Sequence, residues 1–257
     1  KEINAAILSF LESESHSQDE FRALTKIVDD QEIVKNRQSI LEIFHLLYRI
    51  GDNHHRVADF FNRLGHIFDY LTKNPLPITD SEIFNIYKEN KRLLLLLFEH
   101  KVIIPNEYII FNLKYANDIN RHKLCYYFYS VIKDYCDDEM TKSIETEITS
   151  KFNENIENFE SKCRKGENDS YICTLIRQDS IQDFVSYVNR TNLSLTSKIK
   201  ADLYESNPFL IQNEASLIEY ALFHGSIQVI KYLQNNNVEL NPNCWLYAIH
   251  SNNPEII

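Results

Sequence analysis

Apolar side chains recur at three- and four-residue spacing along almost the whole chain, and little interrupts them. Ile3, Ile7, Leu8 and Leu11 fall on one helical face, and Phe21, Leu24, Ile27 and Val28 do the same. Ile40, Ile43, Phe44, Leu47 and Ile50 make a third stripe; Phe60, Phe61, Leu64, Ile67, Phe68 and Leu71 make a fourth. A stripe of this period lets an α-helix bury one side. Among 257 residues there are only 4 Gly and 6 Pro, too little punctuation for the many tight turns of a sandwich or barrel. Apolar residues make up 44% of the chain, with 15 Tyr and 15 Phe among them, enough for a continuous core. The expected fold class is all-α.

The breaks in the pattern set the organisation. Asn74–Pro75–Leu76–Pro77 ends one helical stretch, because proline disfavours helix in the residue before it. Thr79, Asp80 or Ser81 can then cap a helix through Tyr87, with Glu82 placed to reach back. Leu93 to Phe98, after Asn90–Lys91–Arg92, is apolar nearly all round and reads as a central buried helix. Pro105–Asn106 opens a helix through Leu113, Leu124 to Ile132 is dense in aromatics, and Ile144 to Phe159 reads as one long, polar, exposed helix. The polar run Lys165–Gly166–Glu167–Asn168–Asp169 is the best domain boundary, dividing the chain into residues 1–165 and 166–257, with helices resuming at Tyr171.

Charge narrows the partners. A formal net charge of −10 repels phosphate backbones and anionic headgroups, so neither nucleic acid nor a membrane is an expected partner. The strongest apolar run, Leu93 to Phe98, is far too short to span a bilayer, and no signal-peptide pattern occurs. The five cysteines (Cys125, Cys136, Cys163, Cys173, Cys244) never form a C-x-x-C pair and read as reduced thiols of a cytoplasmic protein. N-x-[ST] triplets at Asn168, Asn189 and Asn192 read as chance matches in an Asn-rich chain. The chain opens at Lys1 without Met and stops at Ile257 inside an apolar-periodic stretch, so a longer polypeptide with further repeats is expected.

The most informative residues come late. Ser216–Leu217–Ile218–Glu219–Tyr220–Ala221–Leu222–Phe223–His224–Gly225 leads into Ser226–Ile227–Gln228–Val229–Ile230–Lys231–Tyr232–Leu233. Ser216 can cap a first helix, Ala221 is small enough for close stacking, and Gly225 permits a left-handed turn. Val229, Ile230 and Leu233 form one face of a second helix. A second copy runs from Trp245 to Ile257, with Ala248 matching Ala221, Asn252 in the glycine slot and Ile256–Ile257 matching Val229–Ile230. A weaker one, Leu175 to Phe184, has Asp179 in that slot and Ser180–Ile181–Gln182 matching Ser226–Ile227–Gln228; Asn90 with Leu93 to Phe98 is looser still.

These segments resemble the ankyrin repeat, a T-P-L-H-x-A-A helix, a glycine turn and a V-V-x-x-L-L helix. With Ile27 to Ile33, Asn53–His54–His55–Arg56 and Ser81 to Ile86, the chain resembles degenerate ankyrin proteins expanded in flagellated protists, whose helical N-terminal region has no assigned function. The resemblance implies a helical-hairpin array, an ankyrin-like α-solenoid, following an N-terminal helical region. The chain departs from the pattern in having Leu217 for proline and Glu219 for histidine. Ala221 and Ala248 are also closer than the roughly 33-residue ankyrin period. Asn235 to Pro242 is therefore expected to be a plain loop instead of a β-hairpin finger, with Asn241 capping and Pro242 in the first turn of the next helix.

Chemistry finds little purchase. No phosphate-binding, nucleophile-elbow or zinc-protease motif occurs. His54–His55 with Asp52 and Asp59 is a poor metal set, because adjacent helical histidines diverge. Cys163 and Cys173 lack a completing histidine, and no spacing demands a Cys136–His122 pair. No catalytic residue, metal or cofactor is expected. Tyr220, Phe223, His224 and Tyr247 lie on the first helices, which line the groove in ankyrin-like arrays; they either bind a protein partner or pack between repeats. Trp245 aligns with Ile218 and reads as core.

The expected function is a non-catalytic protein–protein interaction scaffold in the cytoplasm. The alternatives are a structural component of a cytoskeletal assembly, such as an axonemal microtubule lattice, and an unrecognised enzyme.

Overall fold

A computed structural model describes residues 2–12, 18–53, 59–118, 121–251 and 253–256. Every regular element among them is helical, seventeen α-helices and two short 3-10 turns. The extended pairing is confined to isolated bridges at Asn117–Lys123 and Lys198–Ser216. No described helix is long and apolar enough to cross a membrane. The chain divides into two compact units, residues 1–164 and 165–257.

The N-terminal unit holds α1 (Glu2–Glu12), α2 (Gln18–Asp30), α3 (Arg37–Asn53), α4 (Phe60–Leu71), α5 (Asp80–Tyr87) and α6 (Lys91–Glu99). It continues with α7 (Glu107–Tyr115), α8 (Leu124–Tyr127), α9 (Tyr129–Ile132), α10 (Asp138–Phe152) and α11 (Ile156–Lys165). Helix α1 packs on α2 and α4, α5 on α3, α6 and α7, and α7 on α8 and α9. Local chemistry sets the starts. Thr79 Oγ1 accepts from Glu82 N while Glu82 Oε2 accepts from Thr79 N at 2.9 Å, a full capping box for α5. Asn90 and Asn106 cap α6 and α7.

Leu93, Leu94, Leu95, Leu96 and Leu97 are all buried, which makes α6 the centre of the unit. Gly51 on α3 admits Leu93 so closely that a Cβ there would lie 2.7 Å from Leu93 Cδ1. Lys91 is buried as well, its ammonium 3.0 Å from Asp118 Oδ2 and 5.1 Å from the centre of the Tyr127 ring. A buried cation needs such a partner. Burial alone would raise Asp118, but hydrogen bonds from His122 and the charge of Lys91 outweigh it and bring the carboxyl down to about 2.

The single helix expected over Ile144 to Phe159 is two helices. Asn153 adopts a left-handed conformation at φ 54 and ends α10, and Asn155 Oδ1 accepts from Asn158 N at 2.8 Å to start α11. Asparagine tolerates that conformation and caps well. The stretch is not uniformly exposed either, since Ile144, Ile148 and Phe159 are buried. His54, His55 and Arg56, Asn252 and Ile257 lie outside the described residues.

The C-terminal unit holds α12 (Tyr171–Arg177), α13 (Ile181–Thr191), α14 (Pro208–Gln212), α15 (Leu217–His224), α16 (Ile227–Asn235) and α17 (Cys244–His250). Helix α12 pairs with α13 and α15 with α16; α12 also packs on α15, α13 on α16, and α15 on α17. Asn168, one of the three N-x-[ST] asparagines, is buried, its Nδ2 donating to Lys200 O at 2.8 Å.

Candidate interaction surface

The helix pairs of the C-terminal unit arise from short-range chemistry. Ser216 and Glu219 form a capping box on α15, and Gly225 at φ 69 turns the chain into α16. Asp179, in the same slot of the preceding pair, is also left-handed, at φ 49. Its carboxylate does a second job. Asp179 Oδ2 accepts from Gln228 N and Oδ1 from Val229 N, each at 3.0 Å, so it caps α16 of the neighbouring pair. Ser226 is buried and answers with its hydroxyl, donating to Ile176 O at 2.6 Å.

Tyr220, Phe223, His224 and Tyr247 do come together, but in the core. Tyr220, Phe223 and Tyr247 are buried, and His224 is half-buried. The Tyr220 hydroxyl accepts from Arg177 Nη1 at 2.9 Å. Burial first, then the nearby Glu205 charge, pushes that phenol well above its ordinary range. Phe223 stacks on Phe209 with ring centres 6.1 Å apart, Tyr247 meets Phe209 edge-on at 4.9 Å, and His224 lies 4.3 Å from Tyr220. These rings hold helix to helix and do not line an open groove. Phe209 of α14 covers two of them, Phe223 and Tyr247, while Arg177 holds Tyr220. The start of α14 was legible in Asn207–Pro208, an N-cap followed by proline at the first helical position, yet that pair did not enter the reading of the sequence.

Trp245 also moves, in the opposite direction. Expected in the core, it is 60% exposed, and Leu246 and Ile249 beside it are 37% and 52% exposed. The positions matching them on α15, by the pairing of Ala221 with Ala248, are Ile218, Glu219 and Leu222, and all three are buried. On α12 the position matching Trp245, Ile172, is half-buried, and those matching Leu246 and Ile249, Cys173 and Ile176, are buried. This face is covered on α15 and largely covered on α12, whereas among the described residues nothing covers it on α17. The opposite side of α17, with Cys244, Tyr247 and Ala248, is buried, so the helix is anchored on one side and exposed on the other.

Between α16 and α17 the chain forms a loop with no strand, as read from the spacing. Pro242 precedes α17 instead of entering its first turn; Asn241 Oδ1 accepts from Asn243 N at 2.8 Å, and its Nδ2 donates to Glu219 Oε1 at 2.7 Å. Among the described residues no three His, Cys, Asp or Glu side chains converge as a metal site would require. His122 turns its Nδ1 to Asp118 at 3.2 Å. No protein-family model, curated protein or solved structure matches the chain.

Proposed function

We propose that this chain is a non-catalytic protein–protein interaction scaffold that receives a helix of its partner on the outer face of α17. The observation that carries this reading is the exposure of Trp245, Leu246 and Ile249 at positions whose counterparts on α15 are buried. Contiguous apolar exposure of this kind marks a surface meant to be covered, and tryptophan contributes strongly to protein interfaces. The stacking of α12–α13 on α15–α16 supports reading the unit as a short ankyrin-like α-solenoid, in which each helix pair hides its apolar flank only against a neighbour. The buried Tyr220, Phe223 and Tyr247 then act by shaping α15 and α17, and a cytoplasmic setting fits the reduced thiols.

The test uses the chain's one tryptophan as its own reporter. Affinity capture from native extract should retain a protein at fixed ratio, and its purified form should shift Trp245 emission to shorter wavelength. The variant Trp245→Ala/Ile249→Ala should fold as the wild type and lose that protein. Retention of the same protein by this variant, or unchanged emission on binding, overturns the reading.

A further inference from the structure

A second exposed surface, on the N-terminal unit, is too regular to be scattered apolar exposure. Ile104, Tyr108, Phe111 and Tyr115 are 63%, 46%, 64% and 66% exposed. On α7 the spacing of three and four residues puts Tyr108, Phe111 and Tyr115 in one row, about 10 Å long at roughly 1.5 Å per residue, while Ile104 precedes the helix and its extended cap Asn106. The opposite side of α7 is fixed, with Ile109 and Leu113 fully buried. The rings are also held. The Tyr108 hydroxyl donates to Asn85 Oδ1 at 3.0 Å and its ring meets Phe84 edge-on, while Phe111 and Tyr115 lie 5.2 Å apart. Rings already positioned lose little freedom when a partner covers them.

The row ends in a cleft. Tyr115 shares with Lys114, Asp137, Glu139, Met140 and Glu147 the wall of a cavity of about 610 Å³. Its wall, which Lys123 also lines, carries charge of both signs. Glu147 takes the Tyr126 hydroxyl and the Lys123 ammonium, and Lys114 donates to Tyr135 O. Asp137 uses one oxygen to accept from Met140 N at 2.8 Å. Among the described residues, neither Asp137 nor Glu139 forms an ion pair. With Glu147 paired to Lys123, the wall sets the carboxylates of Asp137 and Glu139 against the single ammonium of Lys114, an excess of one negative charge beside the apolar row.

We propose that α7 is a docking ridge for a basic amphipathic helix of a partner protein. The partner helix is at least about two turns long, carries large apolar residues on the face laid against Tyr108, Phe111 and Tyr115, and ends in Lys or Arg that reaches Asp137 and Glu139. Helix on helix is the geometry a straight row of this spacing accepts. The charge selects the occupant. A second copy of the chain would bring another net −10 against an already acidic cleft, and an anionic lipid surface is repelled in the same way. This surface stands apart from the α17 face and does not depend on it.

The probe is a synthetic helical peptide with four leucines on one face and lysines at one end, titrated against the full chain. A matched peptide with glutamates in place of the lysines serves as control. The lysine peptide should bind at least about tenfold more tightly than the control, a difference of about 1.4 kcal/mol. Phe111→Ser/Tyr115→Ser should weaken it by about tenfold or more, the scale of losing two aromatic anchors. Asp137→Asn/Glu139→Gln keeps a competent cap on α10 and should weaken it less while flattening the salt dependence. Trp245→Ala should leave it unchanged, which separates failure here from failure at α17. No binding, equal binding of both peptides, or undiminished binding by the ridge variant overturns the proposal, as does self-association that the ridge variant abolishes. Unchanged thermal melting of both variants assigns any loss to the surface; if the double serine variant melts early, Tyr115→Lys alone replaces it.

Discussion

The turn joining α12 to α13 and the turn joining α15 to α16 share one backbone path and differ in the residue at its centre. Ser180 N donates to Leu175 O at 3.0 Å and Ser226 N to Ala221 O at 2.9 Å; Asp179 N donates to Ile176 O and Gly225 N to Leu222 O. Both central residues are left-handed, at φ 49 for Asp179 and φ 69 for Gly225. An L-residue there costs roughly 1–2 kcal/mol that glycine avoids. Asp179 offsets this cost with two hydrogen bonds to the start of α16, where the helix dipole also favours negative charge. Gly225 has no side chain to lend, and the unit instead ties α15 to the approach of α17 through Glu219 and Asn241. Equal local geometry therefore conceals unequal roles. The first turn is a joint between helix pairs, while the second is only a turn.

That contrast can be broken by mutation. The largest effect is expected for Asp179→Ala, which keeps the strained conformation and removes both caps; it should cost about 2–3 kcal/mol, read by urea unfolding. A loss no greater than that of Gly225→Ala would mean the cross-pair bonds are idle. Asp179→Gly relieves the backbone but still leaves Gln228 N and Val229 N without the carboxylate, so a loss of about 1 kcal/mol is expected. Gly225→Ala should cost about 1 kcal/mol through conformation alone, since its Cβ would meet Ser251 Cβ at an ordinary 3.6 Å. Gly225→Asn should recover part of that, and a fall in melting temperature larger than for Asp179→Gly would reverse the ranking.

The smallest effect tests the link from α15 to α17 by pH. Burial alone would raise Glu219, but bonds from Asn241 and from the Ser216 backbone and hydroxyl outweigh it and hold the carboxyl below the ordinary 4.5. A depressed carboxyl contributes stability that is full above the unfolded pKa and is lost as pH falls through the folded one. Stability of the wild type should therefore drop below pH 4.5 slightly more steeply than that of Glu219→Gln. Identical acid profiles would show that Glu219 contributes nothing as an ion.

How far these features could be read in advance follows their range along the chain. Thr79 with Glu82, and Ser216, were legible as caps because a cap and its partner lie within one turn; the part of Glu219 in the second capping box was not read, though its spacing is the same. Gly225 and Asp179 were legible as turn residues for the same reason. The bonds from Asp179 to Gln228 and Val229 were not, since they join residues about fifty positions apart and leave no periodic trace. The split at Asn153 escaped notice because apolar spacing continues across it. Trp245 was misplaced because alignment with Ile218 carries over a position on a helix but not the neighbour that covers it.

By itself the sequence determined that the chain is helical, where many of its helices start and turn, and which side of each is apolar. Those properties depend on hydrogen bonds and spacing within about four residues. Tertiary structure alone decided which apolar sides are hidden. Phe209 arrives from a separate helix to seal Phe223 and Tyr247, while Trp245, Phe111 and Tyr115 stay largely exposed. Burial is a property of two surfaces meeting, and one stretch of sequence specifies only one of them.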